Sequence, residues 1–213
     1  MTFILIAGMI GAVIVISASA FQWRFAAKAL FFIAVFEGAV RKWLIPSGSE
    51  LFYFLKDGVL IGALIGWAVA QRSAPPRRIT FFWSVFAVAG LLGAVEIFNP
   101  AMASPVVGAF GWKAYYLWVG VVLVLPDTFS TMPDLVRYLR TLLLVAVPVC
   151  LLAVLQFQLP PSHPLNVYAW DSAAINQFGD GGNVRVTGTF PFLTGYTGFL
   201  SFVSMLLIPL AAC

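Results

Sequence analysis

Glu37, Arg41, Lys56 and Asp57 are ionisable residues that fall within long apolar runs of the sequence. A charge at the centre of a bilayer-length segment costs roughly 2.5–3.5 kcal/mol on insertion scales, so each needs a partner or a use. Glu37 precedes Arg41 by four positions, which sets the two on one helix face where they can pair. Lys56 and Asp57 lie about one and a half helical turns beyond Leu51. Two readings follow. In the first, Glu37–Arg41 and Lys56–Asp57 are internal ion pairs that hold neighbouring helices, with Lys42 and Arg41 reaching towards lipid phosphates. In the second, the cations form a basic extracytoplasmic pocket for an anionic ligand. Glu96, close to Asn99, is a further acidic candidate or a solvated helix end.

A second set of residues runs from Asn183 to Pro191. Gly179 to Gly182 read as a flexible turn and Val184 to Val186 as a short extended run. Thr189 is placed to cap the last helix, with Pro191 in its first turn. A helix N-terminus carries free N–H groups and partial positive charge, so Arg185 just ahead of it suits an anion or phosphate. Ordinary capping beside a solvated arginine is the alternative. The Gly179-Asp180-Gly181-Gly182 run lacks the remaining ligands and spacing of a calcium or nucleotide loop. His163 is the single histidine and reads as an interfacial residue rather than a catalyst. Cys150 and Cys213 sit in apolar stretches and read as packing residues. No Cys/His metal set, Ser–His–Asp set or phosphate-binding Gly-Lys loop occurs, so neither metal nor cofactor is expected. Gln156 is expected to bond a neighbouring helix, and Pro148 to kink its own.

These residues need a scaffold, and the composition names its kind. Of 213 residues, 62% are hydrophobic and 9% charged, against roughly 25% charged in soluble domains. Such a chain cannot clothe a water-facing surface, and the mean hydropathy of +0.98 agrees. The basic residues are scattered among short loops, a pattern of topology control rather than nucleic-acid binding. A span takes about 20 apolar residues, and the candidates are 2–20, 25–41, 51–70, 79–98, 112–126, 138–158 and 190–213. Breaks at Gln22 and Arg24, Pro46-Ser47-Gly48, Pro75-Pro76, Asn99-Pro100, Pro126-Asp127 and Pro160-Pro161 separate them. The expected fold is therefore all-α: a single-domain transmembrane bundle of about seven spans, with an extracytoplasmic loop at 159–189.

Arg24, Lys28, Arg72, Arg77, Arg78, Arg137 and Arg140 fall in one set of loops; Arg41, Lys42, Lys113 and Arg185 fall in the alternate set. The positive-inside rule puts the first set in the cytoplasm and the N-terminus outside. Residues 1–20 lack a basic n-region despite Ala18-Ser19-Ala20, and read as a retained first helix. Gly62 and Gly66 form a GxxxG pair that permits close helix contact. The last span stops at Cys213 without a polar flank, as in the N-terminal part of a longer protein.

Phe36-Glu-Gly-Ala-Val-Arg-Lys-Trp-Leu-Ile-Pro46, followed by Tyr53-Phe-Leu-Lys-Asp57, resembles the N-terminal region of bacterial O-antigen ligase and polymerase-like membrane proteins. Gly111-Trp-Lys-Ala-Tyr-Tyr116, Gln156 with Pro160 to Asn166, and Arg185-Val-Thr-Gly-Thr-Phe190 extend the resemblance over about residues 30–200. It implies transfer or polymerisation of a glycan carried on undecaprenyl diphosphate, at the outer side of the inner membrane, without nucleotide sugar or metal. On that expectation Arg41, Lys56 and Arg185 bind the diphosphate. Glu37 and Asp57 orient those cations, or one of them deprotonates the acceptor hydroxyl. The family's further spans and large periplasmic loop have no counterpart here, and a fragment need not be active by itself. A transporter or flippase of anionic lipid or polysaccharide would use the same cations, but would also need polar groups in the cytoplasmic half. A scaffold subunit with structural ion pairs is the third expectation.

Overall fold

The computed structural model describes residues 2–46, 49–71, 81–102, 104–167, 177–178 and 183–211. The chain is all-α. Its helices are α1 (Thr2–Phe21), α2 (Trp23–Ala39), α3 (Ser49–Ala70), α4 (Phe81–Glu96), α5 (Pro105–Trp112), α6 (Gly120–Thr128), α7 (Met132–Gln158) and α8 (Leu193–Ala211). Two π-helical turns interrupt them, Val40–Leu44 after α2 and Lys113–Leu117 after α5. The only extended pairing among the described residues is antiparallel, Gln177–Phe178 (β1) with Asn183–Val184 (β2). Phe52–Ala70, Pro105–Thr128 and Met132–Gln158 are each long and apolar enough to cross a membrane, and this is a membrane protein.

Several boundaries differ from the expected ones for local reasons. The fifth segment begins at Pro105 rather than 112, because Ser104 Oγ accepts from Val107 N at 3.3 Å and Pro105 takes the first helical position. Lys113 therefore lies on a helical segment and not in a loop. The sixth begins at Met132 rather than 138. Thr131 caps it, its hydroxyl accepting from Asp134 N at 3.3 Å, and Pro133 lies in the first turn, so Arg137 and Arg140 are helical. Pro126 does not end α6, which continues to Thr128. Thr189 does not cap the last helix: α8 starts at Leu193, and Thr189 is buried in the preceding turn. The cations Arg72, Arg77 and Arg78, the breakers Ser47-Gly48 and Pro75-Pro76, the Gly179–Gly182 turn and Cys213 lie outside the described residues.

Contacts group the chain into two compact units, residues 1–27 with 57–128, and residues 28–56 with 129–213. In the first, α3 lies directly on α1. A Cβ on Gly62 would stand 2.5 Å from Ile16 O, and one on Gly66 would stand 2.1 Å from Ala20 O. The GxxxG pair is thus a backbone-to-backbone contact within the chain, where dispersion replaces the hydrophobic effect that lipid cannot supply. Trp112 Nε1 donates to Gly90 O at 2.8 Å, joining α5 to α4.

The second unit holds α2 from Lys28, the α3 start, α7 and α8. Its core is Val35, Ala146, Val149, Phe190 and Phe199. Phe190 and Phe199 pack with ring centroids 5.2 Å apart. Gly38 lets the chain after Gly188 press on α2, since a Cβ there would meet Thr189 O at 2.3 Å. Tyr138 Oη donates to Lys28 O at 2.8 Å, tying α7 to α2.

Candidate functional site

The charge-bearing centre of the second unit is built where α2 gives way to its π turn. Ile45 N donates to Val40 O at 2.8 Å, a bond spanning five residues instead of four. Single π turns of this kind recur at functional sites. Here the turn carries Arg41 and Lys42 side by side, both buried. Consecutive helical side chains diverge by about 100°, so the neighbours serve different partners.

Arg41 turns towards α3. Its Nη1 donates to Glu37 Oε1 at 2.9 Å, the helical pairing expected from the spacing. Glu37 Oε2 accepts from Lys56 Nζ. Tyr53 lies against both cations, its ring centroid 5.2 Å from the Arg41 guanidinium carbon and 4.4 Å from Lys56 Nζ. One carboxylate therefore stands between two cations, leaving a net charge of +1 if all three are ionised. Arg41 is only 1% exposed, yet its Nε and Nη2 have no hydrogen-bond partner among the described residues. A guanidinium presents its donors as planar forks fitted to phosphate or carboxylate. Two idle buried N–H sites are costly unless something accepts from them.

Lys42 turns the other way. Its Nζ donates to Gly188 O at 2.7 Å and to Thr187 Oγ1 at 3.1 Å, clamping the chain before α8 onto the end of α2. No carboxylate pairs with it among the described residues. Burial pushes its ammonium down to about 7. Gln156, fully buried, completes the clamp: its Oε1 accepts from Gly188 N at 2.8 Å, and its Nε2 donates to Gly188 O at 3.2 Å and Leu165 O at 2.7 Å. Gly188 has φ +55°, a left-handed conformation that glycine tolerates. Asn166 Nδ2 closes the α7 end, donating to Gln156 O, Leu159 O and Pro160 O. The expected bond from Gln156 to a neighbouring helix goes instead to this loop. His163 Nδ1 accepts from Leu165 N at 3.2 Å as a local cap.

The structure thus brings Glu37, Arg41 and Lys56 together. Lys56 and Asp57 do not pair with each other, because adjacent helical positions point apart. Asp57 belongs to the first unit, buried, with Oδ2 accepting from Lys113 Nζ at 2.6 Å and Oδ1 without a hydrogen-bond partner among the described residues. Lys113 lies on the second π turn. Glu96 is exposed and accepts from Asn99 Nδ2 at 2.8 Å at the end of α4. Arg185 lines a separate groove of about 470 Å³ beside α8. Sequence reasoning missed the Lys42 clamp and the node at Gly188; a glutamine deep in an apolar run and an invitingly placed Thr-Gly-Thr were the available signals. It also missed a polar group in the first unit, where Asp127 Oδ2 accepts from Trp67 Nε1 at 2.7 Å and from Gln71 Nε2. Set against protein-family models, curated proteins and solved structures, the chain matches none of them.

Proposed function

We propose that the Glu37–Arg41–Lys56 cluster receives the diphosphate of a lipid-linked glycan, in a protein that passes the glycan to an acceptor at the outer face of a bacterial inner membrane. The observation that carries this reading is the buried Arg41 with two idle N–H donors beside a second cation. In the transfer, the bond from the anomeric carbon to the diphosphate oxygen breaks, a bond from that carbon to the acceptor hydroxyl oxygen forms, and the hydroxyl proton leaves with the diphosphate. Negative charge builds on the departing diphosphate, where preorganised cations stabilise it most. Glu37 has both oxygens occupied by cations, which suits it to orienting them rather than to accepting the proton. Asp57 pairs with Lys113, and Arg185 lines its own groove. The orientation taken is the one expected from the sequence, with the N-terminus outside.

Binding of a short-chain polyprenyl diphosphate to the purified protein in nanodiscs tests this. Arg41→Gln and Lys56→Gln should each weaken binding at least tenfold with elution and thermal midpoint retained. Arg41→Lys should fail to restore it, since an ammonium cannot replace a fork. Unchanged binding in folded Arg41→Gln protein would reduce the cluster to a structural ion pair.

A transporter is the second reading, and the first unit favours it. Asp57 with Lys113, and Asp127 with Trp67 and Gln71, stand at two levels of α3, about 15 Å apart at 1.5 Å per residue between positions 57 and 67. Substrate flux across proteoliposomes, lost in Asp57→Asn and in Asp127→Asn alike, would select it over transfer.

A further inference from the structure

Tyr53 and Lys56 lie three positions apart on α3, so they share a face of the helix. The tyrosine ring lies against both cations of the cluster. Its centroid is 5.2 Å from the Arg41 guanidinium carbon and 4.4 Å from Lys56 Nζ, inside the roughly 6 Å reach of a cation–π contact. Phe54 meets that ring almost at right angles, with centroids 5.2 Å apart and planes at 80°. Lys56 Nζ also donates to Tyr53 O at 3.4 Å. The two cations therefore have two kinds of support. One is the Glu37 carboxylate, which accepts a hydrogen bond from each; the other is the Tyr53 ring.

The supports differ in what they leave behind. A carboxylate cancels a unit of charge and uses up N–H donors. An aromatic ring attracts a cation through its quadrupole, carries no net charge and takes no N–H···O bond. A second carboxylate in place of Tyr53 would bring the ionised cluster to neutrality. With the ring there, one net positive charge remains. Lys56 gains most from the ring: its side chain is 17% exposed against 1% for Arg41, so packing restrains it least. A cation already held in place loses less freedom when an anion arrives.

We infer that Tyr53 is a positioning residue of the diphosphate site, its ring holding Arg41 and Lys56 in place while leaving their charge to the ligand. This rests on the diphosphate reading of the cluster proposed above.

The test is binding of the short-chain polyprenyl diphosphate to the full chain in nanodiscs, with phenylalanines of rising fluorine content at position 53. Fluorine draws electrons from the ring with little change of shape, so packing stays nearly constant while attraction for cations falls. Affinity should hold in Tyr53→Phe and then drop stepwise through the mono-, di- and trifluorinated rings, to a loss of about fivefold. Tyr53→Leu should lose as much as the last of these. Affinity that ignores fluorine content overturns the inference. A loss in Tyr53→Phe as large as in Tyr53→Leu also overturns it, giving the role to the hydroxyl. Wild-type chain that binds no diphosphate removes the site, and the role of Tyr53 with it; wild-type binding indifferent to the ring removes Tyr53 alone. The fluorinated series keeps the side-chain shape, so it decides the matter without Tyr53→Leu.

Discussion

Lys42 and Glu37 mark two ways of keeping a charge in an apolar surrounding. Glu37 is held by two cations, while Lys42 has, among the described residues, only neutral acceptors, Gly188 O and Thr187 Oγ1. The second arrangement makes Lys42 sensitive to pH. It lies in the π turn beyond α2, outside the long apolar helices, and its folded-state value of about 7 stands below the 10.5 of an exposed lysine. The unfolded chain therefore binds this proton more tightly. The cost of keeping Lys42 charged is fully present below pH 7 and is relieved as pH rises from 7 towards 10.5, by at most about 1.4 kcal/mol per pH unit. The thermal midpoint should rise between pH 7 and 9 more steeply in wild-type protein than in Lys42→Met; parallel curves would remove Lys42 from the account. Gln156→Leu strands the Gly188 N–H without its acceptor in a buried site, a loss of about 1–3 kcal/mol. Near-native stability of that variant in detergent would show that water replaces the amide. At this scale the sequence was half legible. The spacing of Glu37 and Arg41 gave their pair, because four residues make one helical turn. Lys42's partners lie 145 and 146 positions away, beyond any local periodicity, and so does Lys56's choice of Glu37 over its neighbour Asp57.

At the scale of elements, apolar run length located the long helices among the described residues but not α5, and boundaries strayed where capping chemistry outranked hydropathy. Ser104-Pro105 and Thr131-Met132-Pro133-Asp134 are start signals that begin a helix at Pro105 and carry α7 back through the polar residues Asp134 and Arg137. The π turns were not legible, since nothing in the local pattern separates a five-residue bond from a four-residue one. The close contact of α1 and α3 yields a sharp prediction. Gly62→Leu must displace Ile16 and Ala20 backbone that stands within 2.5–3.2 Å of the glycine's missing Cβ. It should lower the detergent melting midpoint far more than Gly11→Leu, whose missing Cβ has nothing within 4 Å. Similar losses at the two positions would mean that α1 is free to move away.

For the whole molecule, composition alone settled the solvent. A chain with 9% charged residues belongs in lipid, and three described helices have the length to cross it. The proposed orientation is open to a direct check. With the native cysteines replaced, Ser162→Cys should react with an impermeant maleimide from outside intact cells, and Ser130→Cys should react only after permeabilisation. The reverse pattern would invert the topology, and with it the face proposed for the Arg41 cluster.

The clamp at Gly188 has a consequence for how the chain is made. Lys42 leaves the ribosome 146 residues ahead of the carbonyl that will hold it, roughly 7–30 s at 5–20 residues per second. Throughout that interval α2 carries an ammonium with no protein acceptor, and water or lipid headgroups must solvate it. The Lys42 end of α2 therefore reaches its final hydrogen bonding only after residues 187 and 188 have been made. A ribosome stalled before Gly188 would hold a chain whose early helices are inserted but whose α2 terminus still faces the polar phase.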